Sequence, residues 1–133
     1  MTKAFKRKNT YTRLSVIVPT YNCIDYLDEC LHSVLDQLPE NCELIAVDDG
    51  SNDGTKELLE EYVSKQKKVR GIFCTHKEVS AARNAGLDAA SGEFVTFIDC
   101  DDCMREGFLR ESLPLLDEDT DLYIFGIERL PLS

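Results

Sequence analysis

Asp99-Cys100-Asp101-Asp102 puts three carboxylates into four consecutive residues. Carboxylates that close repel one another and disfavour their own ionisation. A hard divalent cation with oxygen ligands, Mn²⁺ or Mg²⁺, offsets the repulsion. Such an ion keeps open positions for phosphate oxygens and can neutralise a leaving diphosphate. The competing reading is a solvated set of acids capping the next helix. A second acidic pair, Asp48-Asp49, runs into Gly50-Ser51. One of its carboxylates can point inward beneath a site while the other accepts hydrogen bonds from a ligand; equally, Asp, Gly and Ser are favoured in plain turns. A third polar cluster is Thr20-Tyr21-Asn22. Arg83 lies among the small residues Ser80-Ala81-Ala82 and Asn84-Ala85-Gly86. Small neighbours permit close packing, and the guanidinium either reaches an anionic ligand or pairs at the surface.

Other chemistries fare worse. Gly50 and Gly54 lack the spacing of a Walker loop, and Thr55 precedes Lys56. His32 and His76 form no nucleophile–base pair with a Ser or Cys. The six cysteines are Cys23, Cys30, Cys42, Cys74, Cys100 and Cys103. Only Cys100-x-x-Cys103 has suggestive spacing, but its two central acids work against a reactive thiolate. No second close ligand pair completes a zinc site. No stretch approaches the ~20 apolar residues of a membrane span, and no apolar h-region follows the basic start. Free thiols in a reducing, cytoplasmic setting are therefore expected.

The elements that must position these residues follow from periodicity. Leu14–Val18 is a short β-branched run stopping at Pro19, which predicts a buried strand. Ile24, Leu27, Leu31, Val34, Leu35 and Leu38 repeat at helical spacing up to Pro39. Glu43–Val47 reads as a second strand. Leu58, Leu59, Tyr62 and Val63 mark a second helix, with Ser51 or Asp53 as its cap. Val69–Cys74 is a third strand, and Val79–Ala90 a third helix with Gly92 as its C-cap. Phe94–Ile98 is a fourth strand, 108–116 a helix interrupted by Pro114, and 122–127 a last strand. The alternation predicts an α/β, Rossmann-like, mostly parallel sheet with helices on both faces. The ends of strands one, two and four then share one edge, where ligands of such sheets bind.

The chain has 133 residues, a one-domain length, with a formal net charge of -10. Residues 1–13 hold five basic residues and no acid, leaving 10 basic against 25 acidic residues in the rest. They read as a basic, flexible arm ahead of an α/β domain spanning 14–133. So acidic a body argues against nucleic-acid binding, which needs positive surface. The arm leaves peripheral contact with an anionic membrane open.

Four segments together resemble the inverting family 2 glycosyltransferases of the GT-A fold. They are Val16-Ile17-Val18-Pro19-Thr20-Tyr21-Asn22, Val47-Asp48-Asp49-Gly50-Ser51-Asn52-Asp53-Gly54-Thr55, Ser80-Ala81-Ala82-Arg83-Asn84-Ala85-Gly86, and Phe97-Ile98-Asp99-Cys100-Asp101-Asp102. Order and approximate spacing match over about residues 14–127. The resemblance implies a transferase that uses a nucleotide-diphosphate sugar, a UDP-sugar by preference. Pro19, Thr20, Tyr21, Asn22, Asp48 and Asp49 would form the nucleotide site, with Asp49 on the base and Arg83 near the nucleotide. In the D-x-D element, Asp101 would contact ribose or metal, Asp102 would ligate the metal and Asp99 would support from behind.

The resemblance also implies an acceptor, carbohydrate or lipid-linked, in cell-surface polysaccharide synthesis. Inversion needs a general base, and the family position for it lies beyond Ser133. The chain is thus expected to be the donor-binding part of a longer enzyme, inactive alone and possible as a homodimer. Competing readings are a non-catalytic nucleotide-binding module, a haloacid-dehalogenase-type phosphotransferase built on Asp99, and a signalling receiver domain. The second usually has its motif near the chain start, and the third wants a Lys where Gly126, Ile127 and Glu128 stand.

Overall fold

A computed structural model of the chain describes residues 12–75, 79–117 and 119. Strand β1 (Thr12–Thr20) leads through helix α1 (Ile24–Leu35) to β2 (Cys42–Asp49), then through α2 (Thr55–Lys65) to β3 (Val69–Cys74). Helix α3 (Val79–Ala89) returns the chain to β4 (Gly92–Phe97), and a short α4 (Phe108–Ser112) runs into a 3-10 turn at Leu113–Leu115. The sheet order is β3-β2-β1-β4 and every pairing is parallel.

Period-two burial explains the layers. Leu14, Val16 and Val18 of β1 and Leu44 and Ala46 of β2 face one side. There they meet Leu27, Leu31 and Val34 of α1 and Leu59 and Tyr62 of α2. Ile17, Ile45 and Val47 face the other side and meet Ala82 and Ala85 of α3. Parallel crossovers are right-handed. The chain steps outward from β1 to β3, then returns to the far side of β1. That reversal places α1 and α2 on one face and α3 on the other. It also makes the gap between β1 and β4 the point where strand order switches, the usual ligand crevice of such sheets.

Several boundaries move. β1 starts two residues early and runs through Pro19, because Pro19 shares the ladder side of Ile17. That side faces β4, whose pairing ends with the Ile98 N–H on the Ile17 carbonyl at 3.0 Å, so the missing proline N–H is not needed. Arg13, counted by sequence with the basic arm, lies in β1 beside Phe94, 4.9 Å from its ring centre. Helix α1 ends at Leu35, short of Leu38, in tightened turns at Gln37 and Leu38. Gly92 opens β4 rather than capping α3: a Cβ there would lie 2.5 Å from the Ser15 backbone nitrogen. Pro114 ends α4 after five residues. His76 and the strand expected at 122–127 lie outside the described residues.

Candidate functional site

Thr20 pairs with Asp48 across β1 and β2, while β1 and β4 run together to Ile17 and Phe97. The loops after β1, β2 and β4 therefore leave the sheet side by side. Both acids of the Asp48-Asp49 pair belong to the end of β2 and are buried, Asp48 at 1% and Asp49 at 4% exposure. A buried carboxylate must be hydrogen-bonded, and Asp48 is. Its Oδ1 accepts from Thr20 Oγ1 at 3.0 Å and from Ser51 Oγ at 2.6 Å, and its Oδ2 accepts from the Ser51 N–H at 3.0 Å. Asp48 thus sits inward, knitting β1 to the following loop. Tyr21 stands at the rim with 46% of its surface exposed.

Asn22 has a left-handed backbone, φ 47°. Its N–H donates to Ser51 Oγ at 2.9 Å, and its side-chain Oδ1 accepts from the Asn52 N–H at 2.8 Å. The next two amides, of Cys23 and Ile24, donate to Thr55 Oγ1 at 3.0 Å and to Asp53 Oδ2 at 3.2 Å. Asp53 Oδ1 accepts from both the hydroxyl and the N–H of Thr55, at 2.6 and 3.0 Å. These bonds, the Thr55 hydroxyl first, hold the Asp53 carboxyl below its usual 3.8. A helix N-terminus ordinarily offers free N–H groups to a phosphate. At α1 the Ile24 amide is taken by Asp53, and the two amides just before it by Ser51 and Thr55.

The loop after β4 gathers the exposed acids. Asp99, Asp101 and Asp102 are exposed, and each has a carboxylate oxygen within 4.8 Å of the others'. Oxygen donors this close, open to solvent, fit a hard divalent cation. Burial first, then the charges of Asp101 and Asp99, raise the Asp102 carboxyl above its usual value. The latter two contributions are repulsion between like charges. Arg83 pairs with Asp99, Nη2 to Oδ1 at 3.3 Å, and lies 5.4 Å from the Phe97 ring centre. Its helix comes this close because α3 is small-sided: a Cβ on Gly86 would stand 2.5 Å from Ile17 Cγ2.

Helix α1 and the turn that follows it hold this acidic loop. The Met104 N–H donates to Ser33 Oγ at 2.9 Å, Gln37 Nε2 donates to the Arg105 carbonyl at 2.9 Å, and Gln37 Oε1 accepts from the Leu109 N–H at 2.8 Å. Cys30 Sγ reaches the Asp99 carbonyl at 3.6 Å; burial pushes its thiol up to about 12. The Cys100 and Cys103 thiols turn to different partners. Cys100 hydrogen-bonds Cys23, which lowers Cys100 and raises Cys23, while Cys103 Sγ meets Glu29 Oε1 at 3.5 Å.

One sheet edge thus collects Thr20, Tyr21, Asn22, Asp48 and Asp49 with Asp99, Asp101 and Asp102, and Arg83 reaches the last group through Asp99. Pro19, half-buried, lies one residue inside the edge. Sequence reasoning missed Thr55, Ser33 and Gln37 as loop anchors, and assigned Ser51 or Asp53 to α2. Their small polar types were a signal for capping; which helix they cap was not. The Cys23–Cys100 contact, across 77 positions, has no sequence signal.

The family model described as "Glycosyl transferase family 2" matches residues 15–130. TuaG of Bacillus subtilis (strain 168), a glycosyltransferase named for teichuronic acid biosynthesis, is 36% identical over 113 residues, covering 84% of this chain and 45% of TuaG. Staphylococcus aureus TarS 1-349 in complex with UDP-GlcNAc superposes with a TM-score of 0.71 at 34% identity, over 80% of this chain and 32% of that one. The mannosyltransferase PcManGT from Pyrobaculum calidifontis, in complex with GDP-Man and Mn²⁺, gives 0.70 at 29% identity, over 83% and 34%. The chain therefore spans less than half the length of each of these relatives.

Proposed function

Because this chain belongs to glycosyl transferase family 2, we propose that its sheet edge binds a nucleotide-diphosphate sugar with a divalent cation, for transfer of the sugar to an acceptor hydroxyl with inversion. The observation that carries this reading is the convergence of the β1, β2 and β4 ends on one rim, with three clustered carboxylates at the β4 end. Tyr21 and Asp49 contact the base, with Pro19 and Thr20 shaping the floor. A UDP donor is favoured, since TarS is seen with UDP-GlcNAc; the GDP-Man and Mn²⁺ complex of PcManGT supports a cation of that class.

Asp101 and Asp102 hold Mn²⁺ or Mg²⁺, with Asp101 within reach of ribose and Asp99 supporting through Arg83. When bound, the cation supplies positive charge for the diphosphate as it leaves. The protein's own share is to orient the donor and keep the acids together. The amides of Asn22, Cys23 and Ile24 take no part in holding phosphate, because they already go to Ser51, Thr55 and Asp53. The acceptor site and the general base belong to the further length that the relatives have. An acceptor in surface polysaccharide synthesis is suggested by the naming of TuaG.

Calorimetric titration with UDP, with and without Mn²⁺, tests the reading. Binding is expected in both conditions and tighter with the cation. Absence of binding in both would overturn the donor site in favour of an assembly module, and equal affinity in both would overturn the cation assignment.

A further inference from the structure

We propose that Asp53 and Thr55 are positioning residues for nucleotide binding, capping helix α1 from the first residue of α2 and the loop before it and so tying the loop of Tyr21 to the loop after Asp49. The proposal rests on the donor site described above and deepens it.

Helix α1 has no cap of its own: Cys23 occupies the N-cap position and makes no side-chain cap bond. Uncapped, the first amides of a helix are orphan donors. Here three consecutive amides, those of Asn22, Cys23 and Ile24, go to side chains of the other loop. The proton directions are forced. The Asp53 carboxylate only accepts and the Cys23 N–H only donates, so the single Thr55 hydroxyl proton goes to Asp53 and its lone pair to Cys23. Thr55 is fully buried, and no water can replace it. Ser51 repeats the relay nearer the rim, taking the Asn22 N–H and donating to Asp48.

The relay fixes geometry that the β1–α1 loop could not hold alone. Asn22 sits at a positive φ, a backbone region that residues other than glycine rarely adopt. Its N–H and its side chain are both tied to the second loop. Tyr21 is next to Asn22, and Asp49 is two residues before Ser51. The clasp therefore ties the loop that begins at Tyr21 to the loop that follows Asp49. Asn22 and Asp48 belong to the same device and act by position.

The test compares Thr55→Val, which removes the hydroxyl, with Thr55→Ser, which keeps it, and with Asp53→Asn at an exposed position. Two quantities are read well below each variant's melting temperature: amide hydrogen exchange, and UDP affinity with and without Mn²⁺. Thr55→Val is expected to speed exchange at Asn22, Cys23 and Ile24. Losing one buried hydrogen bond should weaken UDP roughly tenfold in both conditions. Thr55→Ser should restore both readouts. If Thr55→Val fails to fold, Asp53→Asn carries the same expectation. A variant that melts lower yet binds UDP like the wild type would show a purely structural role and overturn the inference. So would a loss confined to samples with Mn²⁺. A wild-type chain that binds no UDP would instead overturn the donor site, and this inference with it.

Discussion

In the proposed donor site two acids at one edge would carry different tasks, argued from their surroundings. Asp49 is buried at the end of a central strand, where a hydrogen bond to a ligand group is shielded from water. Asp102 is exposed beside Asp99 and Asp101, where a cation would relieve the repulsion among the three carboxylates. Asp102→Asn should therefore abolish the Mn²⁺-dependent part of UDP binding in calorimetry while leaving the circular dichroism spectrum unchanged; unaltered Mn²⁺ dependence would contradict the ligand role. Asp49→Ala should weaken UDP roughly 10- to 100-fold with or without Mn²⁺, as befits one charge-assisted bond of about 1.5–3 kcal/mol. Asp53 offers a pH readout. Its folded carboxyl lies below 3.8, so its contribution to stability is fully present above that value and lost as pH falls through the lower, folded one. Melting curves of wild type and Asp53→Asn should differ at pH 7 and converge below about pH 3.8; a constant gap would count against the carboxylate's role in the clasp.

Among the elements, α3 shows how packing serves the site. Ala82, Ala85 and Gly86 let the helix lie directly on Ile17 and Val47, which brings Arg83 within reach of Asp99. Gly86→Val would force a side chain into space that Ile17 already fills. Overpacking of this kind costs about 1–3 kcal/mol. At about 4 °C per kcal/mol, thermal melting should fall by roughly 5–10 °C; an unchanged melting temperature would mean that α3 sits further from the sheet. The small-residue stretch was legible in the sequence as a close-packing helix, and so were the strands and helices themselves, because burial on both faces demands continuous apolar runs and one-sided burial demands helical spacing. What was not legible was cross-chain capping. Asp53 sits just ahead of α2 and reads as its cap, yet one of its oxygens serves α1. Gly92 failed similarly: it reads as a helix stop, but β4 needs it to approach Ser15.

For the molecule as a whole, the order β3-β2-β1-β4 turns distant motifs into neighbours. Strand polarity, inferred from alternating helices and strands, already put three polar clusters on one edge. The ties that hold them there, from Ser33 of α1 and Gln37 in the turn after it to the acidic loop, emerge only in three dimensions. The purified chain is expected to bind UDP-GlcNAc and Mn²⁺ but to transfer little or no sugar to any acceptor in a radiolabel assay; efficient transfer would show that the general base lies within these residues. The central claim, that separated strand ends share one donor and its cation, is tested most directly by NMR with paramagnetic Mn²⁺ and UDP. The account predicts that adding Mn²⁺ to the UDP-bound chain broadens the amides of Asp99–Asp102 and of Thr20–Asn22 together while sparing the C-terminal end of α2. Broadening confined to residues 99–102, or spread without regard to this edge, would contradict it.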